Sequence, residues 1–299
     1  MAETSGMAEI RGIDIDKLAK GFADEEIIFK RWVTLSTTSA REIRWYQKTS
    51  GILNSTATTG MPVTASQLDG VAELALPDVV EQSWTRDTSY VRKYFVESPI
   101  ISDADIKDTD IDILATNIRD LTRAIARRVD TRIWEVLTEA RAITGQTINY
   151  RACSGAWTDG SGVAYPIHDL MTAKQLIRTD GYNPEGGVLM LTPIGHSNLL
   201  KWLINIKGAA IPSFSSARVG DGVVQEILGL NVIVSENVTA GYGLVGNTKR
   251  ACTWKSFTPI TARTIEEVGI GTKIRVWERG EAILTDPEAV CLLSGCGTS

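Results

Sequence analysis

His196 and Ser197 stand side by side in Gly195-His196-Ser197-Asn198-Leu199. A Ser beside a His is raw material for acyl transfer, in which imidazole takes the hydroxyl proton and the oxygen attacks a carbonyl. The stretch also falls where an apolar run, 188–191, gives way to a helical pattern, the setting of the Gly-x-Ser-x-Gly elbow. The match is incomplete. Leu199 occupies the place of the second Gly. The helix opens at Pro193 behind a Thr192 cap, which puts Ser197 inside the helix and not on the strained turn. His196 precedes Leu199 and Leu200 by three and four residues, the spacing of a side chain that covers an apolar helix face. An α/β hydrolase using Ser197 and His196 is therefore the alternative from a different class. It requires Ser197→Ala to abolish an activity.

Other candidate chemistry is weaker. Gly220-Asp221-Gly222 lacks the third glycine of a dinucleotide fingerprint and the Gly-Lys-Ser/Thr of a phosphate loop. Gly269-Ile270-Gly271-Thr272-Lys273 lies between β-type runs, where no helix N-terminus is available to hold a phosphate. The acid pairs Asp14/Asp16, Asp103/Asp105 and Asp110/Asp112 sit near helix starts, where the helix dipole accounts for them. Four cysteines (Cys153, Cys252, Cys291, Cys296) and two histidines (His168, His196) form no metal-ligand spacing. Unpatterned Cys is the usage of a reducing compartment, where the thiol serves as a small apolar group. No catalytic residue, cofactor or metal is expected.

Function must then be sought in shape. At 299 residues with 43% hydrophobic and 22% charged side chains, the chain is long enough for a full core in one large domain or two intimate ones. A net charge of −5 excludes a dedicated nucleic-acid binder but not a container for one. Eight Trp form a mild excess of a residue suited to interfaces as well as to cores. No stretch has the length and apolarity of a membrane span, and no secretory leader is expected at the N-terminus.

Residues 1–38 are weakly patterned and read as an arm that orders by docking. Residues 41–48 alternate Ile43 and Trp45 with Arg44 and Tyr46, and 81–97 is rich in Val, Tyr, Phe, Thr and Trp. Between them, 54–76 is a polar, small-residue stretch, so 39–97 reads as a long two-stranded ribbon with a loose tip. A lone ribbon is marginal in water and calls for a partner surface. Residues 108–141 form the clearest helix, about 45 Å long. Its stripe is Ile111, Leu114, Ile118, Leu121, Ile125, Val129, Ile133 and Val136. Arg119, Arg123 and Arg127 fall on the opposite face, with Asp120 a partner for Arg123. Pro166 opens a helix with Ile167, Leu170, Met171, Lys174 and Ile177 inward, and Gly181 ends it. A strand at 188–191, a helix behind Thr192-Pro193 and a loop at 209–222 follow. The β segments after these are 225–238, broken at Gly229, then 244–254, 258–267 and 273–278. Arg279-Gly280-Glu281 reads as a turn before 282–285, and 289–293 closes the set.

Three phrases carry a family resemblance: Tyr182-Asn183-Pro184-Glu185-Gly186-Gly187 leading into Val188-Leu189-Met190-Leu191-Thr192-Pro193; Ile227-Leu228-Gly229-Leu230-Asn231-Val232-Ile233-Val234-Ser235-Glu236-Asn237; and Glu278-Arg279-Gly280 with Asp286-Pro287-Glu288-Ala289-Val290. Together with the order of elements over about 40–295, they resemble the HK97-type major capsid protein of tailed bacteriophages. The resemblance implies an α+β, HK97-like capsid fold. Residues 1–38 would be the N-terminal arm and 39–97 the extended loop, or E-loop. Residues 98–145 with 255–299 would form the peripheral domain around a long spine helix, and 146–254 the axial α/β domain, with 209–222 near the capsomer centre.

It also implies self-assembly into pentamers and hexamers of an icosahedral shell around double-stranded DNA, bound without sequence specificity. Scaffold, portal and decoration proteins are possible partners, no membrane is involved, and the subunit would be made in the host cytoplasm and end in the virion capsid. Only about forty residues precede the ribbon, so a separate scaffold or none is expected. Lys48 lies in the ribbon, but no motif marks an Asn partner, and no crosslink is expected. Expected interface residues are Arg44, Trp45, Lys48, Trp84, Arg86, Arg92 and Lys93 in the ribbon, with Arg218 and Asp221 in the axial loop. An encapsulin-type bacterial compartment shell is the nearest alternative. The ribbon with its loose tip favours the virus.

Overall fold

The computed structural model describes residues 15–23, 27–47, 72–76, 85–102, 113–141, 147–157, 165–205 and 226–296. In chain order the elements begin with a helix α1 over 15–23, then β1 (Thr34–Thr37), β2 (Glu42–Gln47), β3 (Thr85–Tyr90), β4 (Arg92–Glu97), β5 (Ile101–Ser102) and the long helix α2 (Ile113–Leu137). Next come β6 (Asn149–Ala152), α3 (Pro166–Thr179), β7 (Val188–Leu191), α4 (Pro193–Asn205), β8 (Glu226–Ile227), β9 (Leu230–Val234) and β10 (Tyr242–Gly246). A short helix α5 (Thr248–Ala251) leads into the two longest strands, β11 (Cys252–Glu267) and β12 (Gly271–Leu284), and β13 (Val290–Ser294) is the last element. The mixture is the α+β class expected.

Among the described residues, three sheets divide the work. A five-stranded sheet runs β1-β11-β12-β4, with β5 also paired to β12. A six-stranded sheet runs β6-β13-β10-β7-β9-β8. The third is the two-stranded ribbon β2-β3, in antiparallel register from Glu42↔Tyr90 to Gln47↔Thr85. The β-type run at 81–97 is thus two strands with different allegiances. Thr85–Tyr90 belongs to the ribbon, and Arg92–Glu97 crosses to pair with β12. Strand β11 starts at Cys252, and β13 lies between β6 and β10 in the six-stranded sheet, not with the hairpin that precedes it.

Helix α2 lies on the five-stranded sheet, burying Ile118, Ile125, Val129 and Ile133 together with Ala126, Trp134 and Leu137. The buried stripe is wider than the eight-residue seam expected, as a helix on a sheet requires. It ends at Leu137, short of 141, because Glu139 and Ala140 take φ of 44° and 54°, a conformation that cannot continue a right-handed helix. Residues 103–112, with the acidic start expected there, lie outside the described residues. Asp120 Oδ1 lies 3.5 Å from Arg119 Nε. Trp134 stacks obliquely on Phe29 at 6.0 Å and donates from Nε1 to Thr239 Oγ1 (3.1 Å). It therefore ties the arm, the helix and the turn before β10 together.

One carboxylate fixes the arm. Asp130, fully buried on α2, accepts from the backbone amides of Ile28 (2.7 Å), Phe29 (3.1 Å) and Lys30 (3.2 Å). Three successive amides converging on one carboxyl form the kind of nest usually found at anion sites. Burial pushes that carboxyl from 3.8 up to about 6, against the pull of the three N–H donors.

Three sequence expectations need correcting. Arg279-Gly280-Glu281 is not a turn. It lies inside β12, with Gly280 opposite Ser256, and a Cβ at Gly280 would sit 2.5 Å from the Trp254 ring. The glycine is there because an indole occupies the space above it. The gap expected between 254 and 258 is likewise continuous strand, with Pro259 accommodated where the β11–β12 register shifts twice. Met171 (58% exposed) faces outward from α3 and Lys174 is half-buried with its Nζ donating to the Leu228 carbonyl (2.6 Å), while Leu170, Ala173 and Ile177 face inward. Elsewhere the punctuation is as read. Pro166 is at the start of α3, Gly181 (φ 83°) follows its end, Thr192 Oγ1 accepts from Gly195 N (2.9 Å), and β8 turns into β9 through Gly229 (φ 73°).

Two outcomes are expected. Gly280→Ala should destabilise the subunit by about 1–3 kcal/mol in urea or thermal unfolding, through overpacking against Trp254. The raised carboxyl of Asp130 binds a proton in the folded chain that the unfolded chain has released, so its contribution falls as pH rises from about 4 to about 6. Asp130→Asn should remove that slope, a difference of up to about 3 kcal/mol between the two pH limits in denaturation of both proteins.

Candidate assembly surface

The ribbon has two unlike faces because a strand alternates its side chains. On one face Ile43 and Gln47 are buried and Trp45 is partly so. Trp45 Nε1 donates to the Leu284 carbonyl at the end of β12 (2.8 Å), and Gln47 Nε2 donates to Thr147 Oγ1 (3.3 Å) just before β6. Val91 N donates to the Arg41 carbonyl (2.9 Å), closing the base of the ribbon. The root is therefore pinned to the body.

The other face is open. Tyr46 (62% exposed) stands opposite Arg86, Tyr90 (67% exposed) opposite Glu42, and Arg44 between them opposite Thr88. Arg44 Nε lies 2.5 Å from Glu42 Oε1, a pair in solvent that adds little stability. Tyr and Arg on an exposed ribbon face are the side chains that dominate protein–protein contacts.

The nine expected interface residues separate into three groups. Arg44, Arg86 and Lys93 are exposed, with Lys93 Nζ 4.2 Å from the Phe95 ring. Trp45 and Arg92 also work within the subunit. Trp45 anchors the ribbon root, and Arg92 Nε lies 3.0 Å from the buried carboxylate of Glu281. Lys48, Trp84, Arg218 and Asp221 lie outside the described residues.

Sequence reasoning missed the feature where the ribbon leaves the body. Arg41, Lys93 and Arg279 rim a groove of about 260 Å³ that is floored by Tyr90, Val91 and Phe257. Its residues come from four separate stretches, brought together because β4 and β11 flank β12. Only Lys93 was marked, and no spacing in the sequence could have joined the others to it. Chemically the groove is an apolar floor under three cations, which suits a carboxylate carried on an apolar segment.

The hydrolase arrangement is not supported by the local geometry. Ser197 lies within α4, whose strand-to-helix turn is at Thr192-Pro193, so its hydroxyl is not presented on a strained elbow. His196 is part of the same helix and its amide donates to the Thr192 carbonyl (2.9 Å). Burial alone lowers its imidazole pKa.

The model of a family described as phage capsid protein matches residues 100–293, more than half of the chain. No curated protein matches it. Among solved structures, the chain is similar to the capsid of the cyanophage P-SCSP1u (14% identity, covering 90% of this chain and 88% of that one, TM-score 0.64). It is also similar to the capsid of a native GTA particle (14%, 89% and 89%, TM-score 0.63) and to the virus-like particle from Pyrococcus furiosus (12%, 95% and 99%, TM-score 0.60). At such identities the likeness is one of fold. The chain therefore belongs to the phage capsid protein family, with the HK97-type fold of major capsid proteins, and is a structural protein of a capsid shell.

Proposed function

We propose that copies of this chain assemble into pentamers and hexamers, that these close an icosahedral shell around double-stranded DNA, and that the protein catalyses no reaction. The observation that carries this reading is the β2-β3 ribbon. It is pinned at its root, open on its Tyr46, Arg86 and Tyr90 face, and paired with no further strand among the described residues. An exposed, unaugmented ribbon is a poor element for a monomer and a good one for gripping a neighbour.

In this reading 1–38 is the arm and 39–97 the E-loop. Residues 98–145 with 255–299 are the peripheral domain around α2, and 146–254 the axial domain. Arg44, Arg86 and Lys93, with Lys48 and Trp84 farther along the ribbon and Arg218 and Asp221 in the axial loop, meet neighbouring copies. The groove of Arg41, Lys93 and Arg279 receives a carboxylate from one of them. Each contact is modest, and repetition around the shell makes the sum large. A net charge of −5 fits a wall that holds DNA by enclosure rather than by affinity.

Electron microscopy with light scattering on the purified protein should show closed shells or rings of five and six. The ratio of nucleic acid to protein inside them separates a genome container from a cargo compartment. A protein that stays monomeric even when co-expressed with its neighbouring genes would refute the reading. Arg41→Glu combined with Arg86→Glu should move subunit stability by no more than about 0.5 kcal/mol, as surface changes do. The same pair should cut the yield of closed shells at least about tenfold, with salt dependence of assembly reduced. Ser197→Ala should leave assembly unchanged.

A further inference from the structure

Cys153 and Cys296 are 143 residues apart in sequence, yet their sulfurs lie 3.3 Å apart. Backbone pairing holds them there. Strand β6 runs parallel to β13 with Ala152 opposite Ser294, and Cys153 N donates to the Ser294 carbonyl (2.9 Å). Beyond β13 the chain turns at Gly295 (φ 86°), and the amides of Gly295 and Cys296 both reach the Gly241 carbonyl (2.7 and 3.2 Å). This seats the Cys296 sulfur over Gly243, where even a Cβ would come within 3.4 Å of it. Cys296 is fully buried, and Cys153 only partly so.

The four thiols thus differ. Cys252 and Cys291 are fully buried and pushed up to about 12 by burial, so neither supplies a thiolate. Cys296 is raised by burial and by contact with Cys153. Only Cys153 is reachable from solvent, and it already touches the sulfur that could resolve an adduct on it.

We propose that Cys153 and Cys296 form a thiol–disulfide exchange site that takes a small-molecule disulfide as oxidant and ends as an intrachain bond. The Cys153 thiolate attacks one sulfur of the small disulfide, forming a mixed disulfide and releasing one small thiolate. The Cys296 sulfur then attacks Cys153 Sγ and displaces the second small thiol, which leaves with the Cys296 proton. Two protein thiols lose two electrons and two protons, and one small disulfide becomes two small thiols. Closing a bond of about 2.05 Å from the present 3.3 Å requires the two sulfurs to approach by about 1.3 Å. The bond staples the end of β6 to the residue that follows β13 and closes a loop of well over one hundred residues, which removes much entropy from the unfolded chain. The site is idle in a reducing compartment and active in an oxidising one.

The test uses the full-length protein in its assembled state, incubated with oxidised glutathione, alkylated, and digested without reduction. The expected result is a linked peptide pair containing Cys153 and Cys296, with free thiols falling from four to two. The melting temperature should rise by about 5–10 °C, and dithiothreitol should reverse the change. Cys153→Ser should consume no thiol and show no rise. Cys296→Ala should stop at a glutathione adduct on Cys153. A stable adduct on wild-type Cys153, a bond to Cys291 or between two chains, or no consumption of thiols would each overturn the proposal.

Discussion

Two carboxylates in the middle of β12 dictate where the rest of the chain can go. Glu278 and Glu281 are fully buried, and a buried charge without a partner costs several kcal/mol. Their cations arrive from three distant segments. Lys30 of the arm reaches Glu278, while Arg132 of α2 (2.6 Å) and Arg92 at the start of β4 (3.0 Å) reach Glu281. Burial pushes the Glu281 carboxyl up and Arg132 holds it down, so the pair is tuned by packing as much as by charge. Arg132 is also held by Glu135 (3.3 Å), which fixes its direction before it meets the sheet. The arm, the helix and the strand that follows the ribbon, β4, therefore cannot shift independently of β12. Asp130, two residues before Arg132 on the same helix, adds the amides of the arm to this set.

Behind that lock the two large sheets are built to stay put, and the ribbon is not. Strand β7 is buried at every position and β13 at all but its last, as expected of interior strands covered on both faces. The ribbon has one buried side and one open side, and its stability comes from its root. Placing Tyr46, Tyr90 and Arg86 on the open side concentrates binding chemistry on a two-stranded sheet that pairs with no further strand among the described residues. This division suits a subunit whose body must be identical in every copy while its contacts form only on assembly.

Much of the body was readable because its signals are local. A fully apolar four-residue run gave β7, Thr192-Pro193 gave the start of α4, Pro166 and Gly181 bracketed α3, and Gly229 marked the β8-β9 turn. What could not be read depends on distant neighbours. Gly280 and Pro259 have the composition of breaks, yet both sit in continuous strand, one beneath Trp254 and the other at a register shift. Trp45 and Arg92 have the composition of interface residues and also serve their own chain, because an indole N–H and a guanidinium satisfy an internal carbonyl or carboxylate as readily as a foreign one. The groove of Arg41, Lys93 and Arg279, and the contact of Cys153 with Cys296, arise from strand pairings across long sequence separations. Sparse, unpatterned cysteines looked purely apolar in the sequence. Parallel pairing of β6 with β13 is what turns two of them into a potential bond.

The ribbon's two anchors lie on different sheets, and this has a mechanical consequence. Trp45 is tied to Leu284, the last residue of β12 in the five-stranded sheet, and Gln47 to Thr147, which leads into β6 at the edge of the six-stranded one. Thr147 is itself held by Glu139, whose carboxylate accepts its amide (2.8 Å) just past the end of α2. The direction in which the ribbon leaves the body is thus set by the angle between the two sheets and by the end of the long helix, not by either sheet alone. A small rotation of one sheet on the other must turn the ribbon with it, since both hydrogen bonds lie within two residues of each other. Copies whose two sheets meet at slightly different angles then aim their ribbons differently without any change within the ribbon itself.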